Sequence, residues 1–143
     1  MRSTALWLAL ALAHTPVVAS GDERSDDLTT VLGDVLYPIQ LMSYCWSEVE
    51  QDQAFLDAGR TWNMRNWELL ANIEALGRAA GVSDASRRES DESSLVAITA
   101  TVSGQRDRAA YCRTLARIVD EGYFDIDQRE DLRLPLKRIF GVD

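Results

Sequence analysis

The chain is 143 residues long, 46% hydrophobic, and carries 23 acidic against 15 basic residues, for a formal net charge of −8. That length suits one domain with a core of its own. The acidity argues against nucleic acid and anionic lipid as partners and favours a protein partner with a basic surface.

Residues 1–19 read as a secretory signal peptide, and residues 20–143 as a single helical domain. Met1-Arg2 give a positive start, residues 5–13 form an unbroken apolar run, and Val17-Val18-Ala19 places small residues where a signal peptidase reads. The run is far shorter than the roughly 20 residues that span a bilayer. No cysteine follows the cleavage region directly, so a lipid anchor is not expected, nor any other membrane anchor. Cleavage after Ala19 or Ser20 makes the protein periplasmic or secreted. It also discards His14, the one histidine of the sequence.

The first helical run starts after Asp26 and Asp27, both suited to an N-cap. Leu28, Leu32, Val35, Ile39, Met42, Trp46 and Val49 follow at spacings of four and three, which keeps them on one face. Pro38 interrupts this run and predicts a kink or a new segment at its own position. A second run begins near Asp52 and places Phe55, Trp62, Leu69, Ile73, Leu76 and Ala80 on a face shared with Gly59 and Asn66. Gly81 is its natural stop. Residues 83–94 contain no large apolar side chain and read as a polar connection, with Asp91 or Ser93 as a cap for the next helix. A third run joins Leu95, Ile98, Val102, Gln105, Ala109, Cys112, Ala116 and Val119, and Gly122 ends it. The tail supplies Leu132, Leu134, Leu136, Ile139 and Phe140, broken by Pro135, and predicts one or two short helices. The expected fold is all-α: a compact bundle of three long helices plus a short C-terminal helical segment.

Two cysteines in an exported chain most often pair. Cys45 lies beside the first apolar face and Cys112 lies in the third, so a Cys45–Cys112 disulfide is expected to staple those two helices.

The chemical inventory is narrow. Without histidine the mature chain cannot assemble a Ser-His-Asp or Cys-His nucleophile, a histidine-rich zinc site or a histidine-held haem. It has no Cys-x-x-Cys pair and no phosphate-binding glycine loop. No catalytic residue, metal ligand or cofactor is assigned. Paired carboxylates, Glu48 with Glu50 or Asp125 with Asp127, leave a carboxylate-only hydrolase or lyase of the cell envelope as an alternative. Residues 125–131 are spaced in part like an EF-hand loop, but they lack its glycine and place Arg129 where an oxygen ligand belongs.

The most distinctive segment is Thr61-Trp62-Asn63-Met64-Arg65-Asn66-Trp67. On a helix, Trp62 and Asn66 share the core seam, Trp67 lies on an adjacent face with Asn63 and Leu70, and Arg65 points away. Two roles fit this segment. The indoles fill the space between helices while Asn66 fixes register, or the Trp-Arg pair forms a partner surface.

The order of Tyr44-Cys45, Trp62-x-x-Arg65-Asn66, Tyr111-Cys112 and a turn at Glu121-Gly122 resembles small exported two-cysteine helical proteins of unknown function from Gram-negative bacteria. A looser, purely architectural likeness is to periplasmic immunity proteins that neutralise toxins attacking the cell wall. These likenesses imply export, a helical fold and a disulfide. The function expected is a non-catalytic binding protein, of immunity or inhibitor type in one version, acting on a protein partner. An envelope-stress or chaperone-like role is a further alternative and would need an exposed apolar groove.

Overall fold

Pro38 sets the first boundary of the fold. The computed structural model describes residues 21–142, and the signal peptide expected over residues 1–19 lies outside them. Helix α1 spans Gly21–Val35, and α2 spans Tyr37–Tyr44 with Pro38 in its first turn. There its missing N–H leaves no gap in the hydrogen-bond ladder. A π-helical turn, Cys45–Val49, extends α2, closed by Glu50 N donating to Cys45 O at 3.0 Å. The helix break at Leu36 and the wider turn rotate the expected face. Leu28, Leu32, Val35 and Met42 are buried as expected, and Val31, Leu41 and Cys45 join them. Ile39, Trp46 and Val49 are only half-buried.

Asp52 caps α3, Gln53–Ala79, by accepting from Ala54 N at 2.9 Å. Phe55, Ala58, Gly59, Trp62, Asn66, Ile73 and Gly77 form its buried side. Gly81 lies just beyond in the left-handed conformation.

Residues 84–94 are helix, not a polar connection. Helix α4 spans Asp84–Ser103, and its cap is Ser83, which accepts from Ser86 N at 3.1 Å, rather than Asp91 or Ser93. Its first half carries no apolar stripe because small residues make the contact. A Cβ built on Gly33 of α1 would stand 1.7 Å from Ser90 Oγ. One turn on, Ser94 Oγ donates to Gly33 O at 3.3 Å. Two backbones can approach this closely only where no bulky side chain intervenes.

The third run is two helices. Helix α4 stops at Gly104, Asp107 accepts from Ala110 N at 2.8 Å, and α5 spans Arg108–Asp120. The apolar spacing through Gln105 is a coincidence of phase; the glycine and the capping aspartate decide the boundary. A 3-10 turn, Ile126–Gln128, then leads into α6, Glu130–Phe140. Pro135 lies inside α6 without breaking it. Burial of Leu132 and Ile139 on either side of the proline holds the helix, and Arg24 Nη2 donates to Ile139 O at 2.9 Å. Asp26 and Asp27 prove to be interior to α1 rather than caps. Asp27 instead receives Arg138 at 2.6 and 2.7 Å, tying α1 to α6.

The core is the common interior of these helices. Helix α3 packs on α1, α2 and α5, while α1 also packs on α4 and α6. Trp62 and Phe55 are its largest fully buried side chains. Among the described residues there is no strand, and no helix is long and apolar enough to cross a membrane. Cys45 and Cys112 are joined across 67 positions of sequence, and both are fully buried. The disulfide therefore links the end of α2 to α5.

Closing a loop of this length contributes about 4 kcal/mol in the chain-entropy model. Reduction should lower the thermal midpoint by on the order of 10 °C or more, with helix content in the folded state unchanged. Circular dichroism melts with and without reductant check this, and coincident melts would remove the staple from the account.

Candidate functional site

Positions 62, 65 and 66 of α3 lie one turn apart on neighbouring faces, and all three reach the same corner of the chain, residues 119–126. Trp62 is fully buried, and its Nε1 donates to Phe124 O at 2.7 Å. Asn66 is 5% exposed and fully engaged. Its Nδ2 donates to Trp62 O at 2.8 Å and to Asp125 Oδ1 at 2.9 Å, and its Oδ1 accepts from Ile126 N at 2.7 Å. A buried amide needs such partners, since an unpaired one costs a full desolvation penalty.

Arg65 closes the corner from outside. Its Nε and Nη2 grip the Asp125 carboxylate at 2.8 and 3.0 Å. Its Nη1 and Nη2 also donate to Asp120 O at 2.9 Å and Val119 O at 2.6 Å. The last carbonyls of a helix lack intrahelical partners and carry partial negative charge, so a guanidinium suits both needs. Gly122 makes the turn possible. Its φ is +90°, and a Cβ there would stand 3.0 Å from Asp125 Oδ2. The structure therefore folds Arg65 onto the corner, whereas helical spacing alone has it pointing away.

Trp67 is not part of this assembly. It is 66% exposed, and Met64, three residues earlier on the same helix, is 73% exposed. The four residues singled out from sequence thus divide into a buried or engaged trio, Trp62, Arg65 and Asn66, and one outward indole. Sequence reasoning missed Met64; its signal is the i, i+3 spacing to Trp67 off the core seam. Beside the trio lies an open cleft of about 610 Å³, whose walls include Glu68, Asn72 and Asp127 as well as Arg65 and Asp125.

The carboxylate pairs are committed in part to structure. Asp125 is held by Arg65 and Asn66, and Glu50 accepts from Arg113 at 2.6 Å. Elsewhere, burial pushes the Asp34 carboxyl above its ordinary range, with the nearby Arg129 opposing. Arg129 Nη1 donates to Asp34 O at 2.6 Å, and its other nitrogens hold Asp131. The hydrogen bond from Arg129 draws Asp131 below the carboxylate range, and that from Arg138 does the same for Asp27. Comparison of the chain with protein families, with curated proteins and with solved structures finds no match.

Two substitutions test this geometry. Asn66→Ala strands the Ile126 N–H and should cost about 1–3 kcal/mol in urea unfolding. Trp67→Ala should stay within about 0.5 kcal/mol of the parent chain. Equal effects would contradict the division between buried amide and outward indole.

The pH dependence has two signs. Asp27 and Asp131 are more readily ionised folded than unfolded, so their contribution is present above the ordinary carboxylate pKa and fades as pH falls through their lowered values. Asp34 is the reverse: its burial penalty is present at neutral pH and relieved on acidification. Thermal melts should show Asp34→Asn stabilising at pH 7 and neutral once the carboxyl is protonated. Asp27→Asn should destabilise at pH 7, with the gap closing below about pH 4.

Proposed function

We propose that the chain is an exported, non-catalytic binding protein, of immunity or inhibitor type, that acts on a protein partner bearing a basic surface. The observation that carries this reading is the Met64–Trp67 pair. Both side chains are mostly exposed on α3, and the adjoining residues Arg65 and Asn66 are pinned by seven hydrogen bonds to the 119–126 corner and the α3 backbone. A rigid helix presenting a large flat indole beside an adaptable thioether loses little freedom on binding. Tryptophan is also the residue most enriched at binding hot spots.

Two further points support export and a basic partner. The Cys45–Cys112 disulfide suits an oxidising compartment, as the signal-like residues 1–19 require. The net charge of −8 steers toward cationic surfaces. The helical scaffold and single disulfide agree with the resemblance to exported two-cysteine proteins without assigning an activity.

The test uses the chain expressed from its full sequence in a Gram-negative host. It should be recovered from the periplasm with Ser20 or Gly21 at its N-terminus. Used as bait on extracts of envelope proteins, it should enrich a partner that Trp67→Ala loses by tenfold or more, with unchanged circular dichroism. A bait retained in the cytoplasm with Met1 intact refutes export. Capture that is indifferent to Trp67 and Met64 refutes this surface.

A further inference from the structure

A second surface is built from different elements. Helix α2, the π turn and α4 enclose an open groove of about 560 Å³. Ile39, Tyr44 and Leu95 supply its apolar lining, and Glu48, Asp91 and Glu92 its carboxylates. Leu95 is 48% exposed although it begins the most apolar stretch of α4, and its neighbour Val96 is 70% exposed. None of the residues lining the groove is a lysine or arginine.

The three carboxylates are also uncompensated. Glu48, Asp91 and Glu92 take part in no salt bridge among the described residues, whereas Asp27, Glu50, Glu74, Asp125 and Asp131 each hold an arginine. Gln40 bridges the groove by donating to Asp91 Oδ1 at 3.0 Å. The Oε1 of that amide is buried and finds no donor among the described residues. The groove therefore offers apolar contact ringed by acceptors and negative charge.

We infer that this groove docks a cationic amphipathic helix of a protein partner. One apolar side chain seats against Ile39, Tyr44 and Leu95, and arginine or lysine within a turn of it reaches Glu48 on one side and Asp91 and Glu92 on the other. Helix-in-groove recognition uses such anchors at i, i+3 and i+4. Charge complementarity selects the cationic partner over a second copy of this chain, because two chains of net charge −8 repel. The inference stands apart from the Met64–Trp67 surface on α3.

The probe is a synthetic helical peptide of leucine and lysine with its leucines at i, i+3 and i+4, binding measured by fluorescence anisotropy to the disulfide-intact chain. A peptide of the same composition, scrambled so that the leucines no longer share a face, is the control. The patterned peptide should bind at least tenfold more tightly than the scrambled one. The triple variant Glu48→Gln, Asp91→Asn, Glu92→Gln should lose at least tenfold, as should Leu95→Lys, while Trp67→Ala leaves binding unchanged. These side chains are exposed or half-exposed and outside every salt bridge, so the variants should melt with the parent chain. Should one fail to fold, a photo-crosslinking leucine analogue in the peptide must label α2 or α4 of the unaltered chain. Equal affinity for both peptides, indifference to the groove variants, crosslinks elsewhere, or self-association through Leu95 seen in sedimentation would each overturn the inference.

Discussion

A buried amide must find partners inside the fold, and that requirement at Asn66 organises the C-terminal third of the molecule. Among the described residues Asn66 is the one polar side chain in the buried set, and the corner at residues 119–126 supplies what it needs. Its Oδ1 orders the Ile126 N–H and its Nδ2 the Asp125 carboxylate. Arg65 then neutralises that carboxylate while capping α5. With the corner fixed, Ile126 is delivered to the core and the chain leaves in the direction that lays α6 along α1. The ion pair between Arg138 and Asp27 results from that course. A hydrophobic residue at position 66 could fill the same volume, but it could not define which corner packs there; a polar partner set specifies register as well as burial.

Two other constraints act at a distance from this corner. The disulfide restrains the far side, where α2 meets α5, and leaves no free thiol among the described residues. The Gly33–Ser90 approach brings α4 against α1 without any large side chain. Helix α4 therefore uses residues 90, 94, 98 and 102 as its inward stripe, of which only Ile98 and Val102 are apolar and buried. Its N-terminal half depends on close backbone approach and on the hydrogen bond between Ser94 and Gly33. The Arg87–Glu74 pair at 2.5 Å adds a link to α3.

Much of the fold is legible in the residues. The apolar period locates α1, α3 and α5; Pro38, Asp52, Gly81 and Gly122 mark real boundaries; and the cysteines pair as expected. The misses of periodicity have a common cause. It weighs large apolar residues, so it passes over the first half of α4, where glycine and serine make the interface. It also joins α4 to α5 because Gln105 and Ala109 happen to keep phase across Gly104 and Asp107. Pro135 reads as a break only when local propensity is given more weight than the tertiary contacts of Leu132 and Ile139. At the candidate site, burial of Trp62 and Asn66 is readable from the seam. The engagement of Arg65 is not, because its partners lie more than fifty positions away in sequence.

The same helical phase leaves apolar surface uncovered. Once residues 90, 94, 98 and 102 face inward, Leu95 lies about 100° round the helix from Ser94 and shares its face with Asp91 and Thr99. It cannot enter the core without rotating Ser90 out of its contact with Gly33, and that rotation would bring a bulkier residue to a crossing with no room for it. Trp67 is constrained in the same way. Turning it inward would withdraw Asn66 and Arg65 from the corner they hold. The exposure of Leu95 and of Trp67 is thus a consequence of contacts that the fold cannot give up. The two patches differ in their surroundings: the cation nearest Trp67 in sequence, Arg65, is taken up by Asp125 and the last carbonyls of α5, whereas carboxylates that hold no arginine line the groove at Leu95. On the proposed reading, charge rather than shape makes the α2–α4 groove the more selective of the two for a cationic partner.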